Sequence, residues 1–314
     1  MEKERAAKAA SPPDSGGRAD QLDQFKEHLS EPRLRIRLDD WVTASVRSAL
    51  RRTADDQFPL DARIANGQDV ADRLKAYEEA VRPLQEEAIL LGRWANPEQC
   101  ATLCNMIARM SDNLGKPQGG NMLCLALRWY PISVLAHSAS VAALSVENYA
   151  AFAAVHAAKV DARTRRIGST AVPVLVPVVE SMLELAEASV WRSLRRYEGH
   201  SAAESEYRFD TLRPVLDDVL FLGNSYERLF DRYEVLRTWM YADAAEAEWA
   251  PVGRYLEKYR GGRGNPYTDL RTETDAQRDQ WGPVRAGLFG GSYARFEESA
   301  EKIEKNFLDR LSGY

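Results

Sequence analysis

Between residues 38 and 311, side chains that avoid water return every three or four positions, and this period commits the backbone to helices. Leu38, Val42, Val46, Ala49 and Leu50 form one such stripe. Asp39 and Asp40 stand at the end where the helix dipole favours carboxylates, and Arg51 and Arg52 at the other. Val70, Leu74, Tyr77, Val81, Leu84, Ala88 and Leu91 alternate steps of four and three, which puts all seven on one seam that another helix, in this chain or a second copy, should cover. Pro83 predicts a kink within that run. Asn96, Pro97 and Glu98 read as a cap, a proline preset for the first turn and a carboxylate at the positive end, opening a helix that turns Cys100, Leu103, Cys104, Ile107 and Met110 inward.

Residues 122–160 carry only Arg128, Glu147 and Lys159 as charges, so both faces of their helices should be covered. Small residues at Ala136, Ser140 and Ala143, a polar break at Glu147 and Asn148, and renewed periodicity at Tyr149, Phe152 and Ala153 predict a tight helical hairpin. The uncharged run 129–146 approaches the length of a membrane span, but Pro131, His137 and four serines make it a buried core helix instead. Residues 162–168 read as a basic connector. Over 172–179 the β-branched residues suggest a strand, yet Pro173 and Pro177 would remove ladder donors, so the expectation is a helix continuing through Met182, Leu185, Trp191 and Leu194. Further helices are expected over 212–222, 226–247 and 293–311. Strands do not alternate with helices, which excludes a nucleotide-binding α/β core, and no fixed repeat marks a named solenoid.

The expected fold is therefore all-α, a multi-helix bundle or irregular α-solenoid-like array. A disordered tail is expected over 1–20, where no large apolar residue follows Met1. An N-terminal helical region (21–113) and a C-terminal helical domain (122–314) follow, with the glycine- and proline-rich stretch 113–121 as a candidate hinge. The start of the chain lacks the apolar run of a secretory signal, and three cysteines in apolar surroundings do not make a disulfide framework. Both point to the cytoplasm. A net charge of -5 argues against the whole surface coating nucleic acid or anionic lipid.

Few residues invite chemistry. Of four histidines, His137 and His156 fall within the apolar hairpin, where a hydrogen-bonded core histidine is the plain expectation. Arg195 and His200, at the end of a basic helix, resemble the pair with which helical ribonucleases of the HEPN type clamp phosphate and move a proton. Arg196 replaces the polar residue of that pattern, and Gly199 points to a solvated turn before His200. Cys100 and Cys104 share a helical face, but without the close knuckle spacing of a zinc site no metal is expected, and no cofactor motif is present. Gly290, Gly291 and Ser292 could hold an anion at the start of the last helix, although a tight turn with Ser292 as cap is the plainer reading. Arg254, Lys258, Arg260 and Arg263, interleaved with Tyr255, Tyr259 and Tyr267, form the one basic aromatic segment suited to nucleic acid, with a solvated loop as the plainer reading.

Three segments carry a resemblance. They are Tyr130-Pro131 with the small-residue hairpin to Tyr149; Tyr226-Glu227-Arg228-Leu229-Phe230-Asp231-Arg232-Tyr233; and Trp281-Gly282-Pro283-Val284-Arg285-Ala286-Gly287-Leu288-Phe289-Gly290-Gly291-Ser292. Together they resemble an uncharacterised helical region found C-terminal to effector domains in bacterial defence-like proteins, over residues 122–314. The sequence departs from that pattern in having no recognisable catalytic domain in front of these residues. The resemblance implies a non-enzymatic interaction or sensor module with a protein partner. A HEPN-like, metal-independent ribonuclease and a helical nucleic-acid binder are the alternatives. Self-association is open, and a membrane is not expected.

Overall fold

A computed structural model describes residues 17–116, 118–164, 168–256, 258 and 265–312, without the side chains of 163–164, 168–170 and 306–312. Among the described residues the chain is all-α apart from one β-hairpin. Helix α1 (Arg18–Ser30) leads through a 3-10 turn (Pro32–Leu34) into α2 (Arg35–Arg52) and α3 (Gly67–Trp94). Arg18, Ala19 and Asp20 thus belong to a helix and not to the expected tail; the rest of that tail, residues 1–16, lies outside the described residues.

The side chain of Asn66 starts α3 by accepting from the backbone N–H groups of Gln68 and Asp69 at 2.7 and 3.1 Å. The helix then runs unbroken through Pro83, and all seven seam residues from Val70 to Leu91 are buried. What covers them is this chain's own α2, α6 and neighbouring helices, so the seam is not a face for a second copy.

Among the described residues the most extensive helix–helix contact is between α3 and α6 (Tyr130–Leu144). Gly92 makes it possible, because a Cβ at that position would run into the carbonyl of Ala139. Gln85 Nε2 donates to Ser138 Oγ across the same contact at 2.9 Å. Gly92→Ala is expected to lower stability by about 1–3 kcal/mol, as overpacking at a backbone contact does. Urea unfolding of the variant would check it, and an unchanged midpoint would show that the two helices can part freely.

Between these helices lie α4 (Cys100–Ser111), preceded by a turn in which the Asn96 side chain accepts from the Glu98 and Gln99 N–H groups, and the short α5 (Met122–Leu127). The expected hairpin is formed by α6 and α7 (Tyr149–Ala157). Its corner is Glu147 in left-handed backbone, followed by Asn148, which caps α7 and donates to the Ala95 carbonyl at 2.9 Å.

After α7 the backbone departs from expectation. Strands β1 (Lys159–Thr164) and β2 (Gly168–Pro173) pair antiparallel from Lys159 opposite Pro173 to Thr164 opposite Gly168, where a basic connector and a helix were expected. Val160, Ala162 and Val172 face the core, while Lys159 and Asp161 face outward. The two prolines that argued against a strand do not oppose it. Pro173 ends β2, and Pro177 falls in the first turn of α8 (Leu175–Glu187), where its missing N–H is harmless.

The rest of the chain wraps this centre. One-turn α9 (Val190–Ser193) and a 3-10 turn (Arg195–Tyr197) lead into α10 (Ala203–Leu220), and α11 (Ser225–Ala244) follows. Then come α12 (Pro266–Gln277), one-turn α13 (Gly282–Arg285), a 3-10 turn (Leu288–Gly291) and α14 (Tyr293–Ser312). An aromatic cluster seats the C-terminal elements on α11: the ring centroids of Trp239 and Trp281 lie 5.0 and 5.1 Å from that of Phe296. One continuous apolar core extends from Phe25 to Ile303 among the described residues. No helix among them is long and apolar enough to cross a membrane.

Candidate functional site: an open groove backed by a buried ion network

Helices α6, α7, α10 and α11 meet around a group of polar side chains that water does not reach. On α10, Glu204 and Arg208 stand one turn apart, as do Glu234 and Arg237 on α11, so each helix presents an acid and a base on one face. Arg208 is 1% exposed, Glu234 1%, Arg237 4% and His137 1%. Charges this deep persist only when paired. Arg208 contacts Glu204 and lies 3.6 Å from Glu234, while Arg237 lies 3.5 Å from Glu234 and 3.6 Å from Glu204. Ser205 Oγ donates to the other oxygen of Glu234 at 2.9 Å.

Two imidazoles complete the network. Arg208 Nη1 approaches His137 Nδ1 at 3.2 Å, and a guanidinium can only donate, so His137 carries its proton on Nε2. His156 Nε2 and Ser140 Oγ are 3.1 Å apart. Burial first, then the guanidinium groups of Arg208 and Arg237, hold the His137 imidazole well below its ordinary range. Burial alone takes His156 down to about 3. Both rings are therefore neutral at physiological pH. Burial and the neighbouring Arg237 lower Arg208 to about 10, which still leaves it charged.

A small cavity, about 20 Å³, lies among these groups; its polar lining is Ser133, His137, His156, Arg208, Tyr233 and Arg237. On the solvent side of α7 an open groove of about 610 Å³ is floored by the alanine face Ala150, Ala153, Ala154 and Ala157. Met240 and Ala244 of α11 and the turn Leu288 to Gly290 form its walls. His156 and Leu175 line both spaces, so one imidazole separates the apolar groove from the ion network. A volume of this size with few polar groups is what small apolar ligands or an apolar peptide segment occupy.

The residues singled out in the sequence are placed as follows. Arg195 is exposed on the 3-10 turn and His200 lies half-buried in the turn beyond it, so neither stands on the helix expected for the pair. Beside them Arg196 pairs with Asp210 at 2.9 Å. Arg254 stacks 3.9 Å over the Phe209 ring and is bound by Glu206, Glu227 and Asp231; Lys258 is bound by Glu227 and Asp231. Tyr255 and Tyr267 are buried. Arg260, Arg263 and Tyr259 lie outside the described residues.

At the last helix, Gly287, Gly290 and Gly291 adopt left-handed backbone. The Asp279 carboxylate accepts from the Tyr293 N–H at 3.0 Å, and Ser292 Oγ accepts from the Arg295 N–H at 3.4 Å, so this helix start already holds an anion of its own chain. Cys100 edges the groove, Cys124 is buried on α5, and among the described residues no three His, Cys, Asp or Glu side chains gather as a metal site requires.

Sequence reasoning placed His137 and His156 in the core but missed Glu204, Arg208, Glu234 and Arg237. A signal for them existed. Glu234 follows Phe230, and Arg237 follows Tyr233, at the helical step of four, so both charges occupy positions of the buried stripe.

Among the described residues, fold and geometry define an all-α protein with one β-hairpin and an apolar groove backed by a buried ion network. No family model, no curated protein and no solved structure matches the chain.

Proposed function

We propose that the chain is a non-enzymatic helical interaction and sensor module, an accessory protein that works beside a separately encoded effector of a bacterial defence-type system. The observation that carries this reading is the open, alanine-floored groove of about 610 Å³ whose inner wall, His156, belongs to the buried network. A partner's apolar segment seated there would press on a residue coupled to four helices, as a sensor requires. The groove offers little for catalysis: His156 is neutral and held by Ser140, and Asp243 is bound on both oxygens by Arg295 at 2.6 and 3.0 Å. The described cations of the basic segment, Arg254 and Lys258, are occupied by carboxylates, which weighs against the nucleic-acid reading.

The test is co-expression of this chain with a candidate effector drawn from the genes flanking its own. The pair should co-purify, and Ala157→Trp, which fills the groove from an exposed position, should weaken the complex at least about tenfold, near 1.4 kcal/mol. Arg195→Ala and His200→Ala should leave it intact. RNA cleavage by the purified chain that disappears in those two variants would replace this reading with the ribonuclease.

A further inference from the structure

We infer that the groove along α7 is a site for a medium-chain fatty acid, its carboxylate held at the C-terminal end of the helix and its hydrocarbon tail laid on the alanine floor. The inference deepens the reading of the groove as a sensor's recognition surface. It rests on that reading for the use of the site and not for the binding itself, since fatty acid and partner segment would compete for one floor.

The groove is charged at one end. Lys159 follows the last turn of α7 and lines the groove beside His156. Its amine is exposed and pairs with no carboxylate among the described residues. Asp243, the one carboxylate among the described lining residues, is held on both oxygens by Arg295, so Lys159 leaves the lining with an uncompensated positive charge. That charge outweighs the roughly half an elementary charge of opposite sign at the C-terminus of α7. His156 supplies a second group. The ring is 9% exposed and its Nε2 is engaged by Ser140. Its Nδ1 makes no hydrogen bond among the described residues, yet it is not closed off from solvent. With the Ser140 hydroxyl donating to Nε2, the neutral imidazole carries its proton on Nδ1. An ammonium and a ring N–H at the same end match the two oxygens of a carboxylate.

The remainder of the lining calls for hydrocarbon. Ala150, Ala153 and Ala154 below, with Met240, Ala244 and Leu288 beside them, offer no side-chain donor or acceptor. An extended peptide laid here would press backbone N–H and C=O groups against a surface without partners, whereas an alkyl tail brings none to satisfy. From Ala150 to Ala157 the floor is about 10 Å long at 1.5 Å per residue, the span of roughly eight to ten extended carbon atoms.

The experiment is isothermal titration calorimetry of the full chain, alone and at neutral pH, with monomeric fatty acids. Decanoate should bind at one saturable site. Affinity should rise about fourfold per methylene from hexanoate to decanoate and level off beyond it, where the tail outgrows the floor. Lys159→Met, a change at an exposed position, should weaken decanoate about fivefold, the worth of an exposed ion pair, and leave 1-decanol unchanged. Ala157→Trp should abolish binding. Absence of saturable binding, an affinity indifferent to chain length, equal binding by Ala157→Trp, or full affinity in Lys159→Met overturns the inference. An effector captured by a chain that ignores decanoate sinks this inference and leaves the groove reading standing; decanoate bound with no effector captured does the reverse.

Discussion

Replacing Glu87 by Gln is expected to stabilise the fold by about 3 kcal/mol at neutral pH. Glu87 projects from α3 toward α2, where Trp41 Nε1 and Ser45 Oγ both donate to its Oε1, at 2.9 and 2.6 Å, and its other oxygen is buried without a partner. No cation neutralises it. Burial pushes the carboxyl up to about 8, against the pull of the two hydrogen bonds. The folded chain thus keeps a proton here that the unfolded chain releases above about 4.5, and stability falls as pH rises from about 4.5 to about 8. Glutamine retains the accepting oxygen for Trp41 and Ser45 and has no proton to hold. Denaturant unfolding near pH 5 and pH 8 reads the effect: the variant should gain on the wild type as pH rises, and a variant less stable at the alkaline end would show that Glu87 is ionised in the fold.

The same variant exposes the second large effect. In Glu87→Gln, lowering pH from 7 to 5 is expected to cost about 4 kcal/mol, close to 2 for each of His137 and His156. Both imidazoles are held neutral in the fold, whereas the unfolded chain binds their protons once pH drops through about 6.5. Their contribution is therefore complete above that value and declines by about 1.4 kcal/mol per pH unit per histidine below it. For His156 the decline ends near pH 3. His28, lowered chiefly by burial, acts in the same direction. In the wild type Glu87 gains in the same interval roughly what one histidine and a half loses, so the unaltered chain should lose only about 1–2 kcal/mol. Proton NMR showing either core imidazole titrating near 6.5 in the folded chain would remove the basis of this expectation.

How much of this could be read from residues alone depended on sequence distance. The seam of α3 and the α6–α7 hairpin were legible because helical periodicity is a local signal that repeats over many turns. The β-hairpin was not, because its inward positions Val160 and Ala162 give barely one period of alternation before the arginines at 163, 165 and 166 dominate the composition. Helix α12 was passed over although Asn265 and Pro266 mark its start, since its buried face is only Tyr267, Leu270 and Thr274. The network behind the groove lay furthest from view. His137 and Arg208 are 71 positions apart and Ser205 and Glu234 are 29 apart, and no pattern within one helix announces partners on three others. Glu204 and Arg208 also sit in a stretch whose acidic composition reads as surface.

Helix α6 has almost no side chain in contact with solvent, yet it carries three polar keys: Ser138 engaged by Gln85, Ser140 beside His156, and His137 against Arg208. Greasy surfaces can slide past one another with small penalties, but toothed ones are indexed. A displacement of α6 by one turn, about 5.4 Å, would disengage all three keys together and strand their partners in a dry interior. The central rod is thus locked in a single axial setting, so any rearrangement of the four helices around the ion network must proceed by tilting or by rotamer exchange and not by sliding.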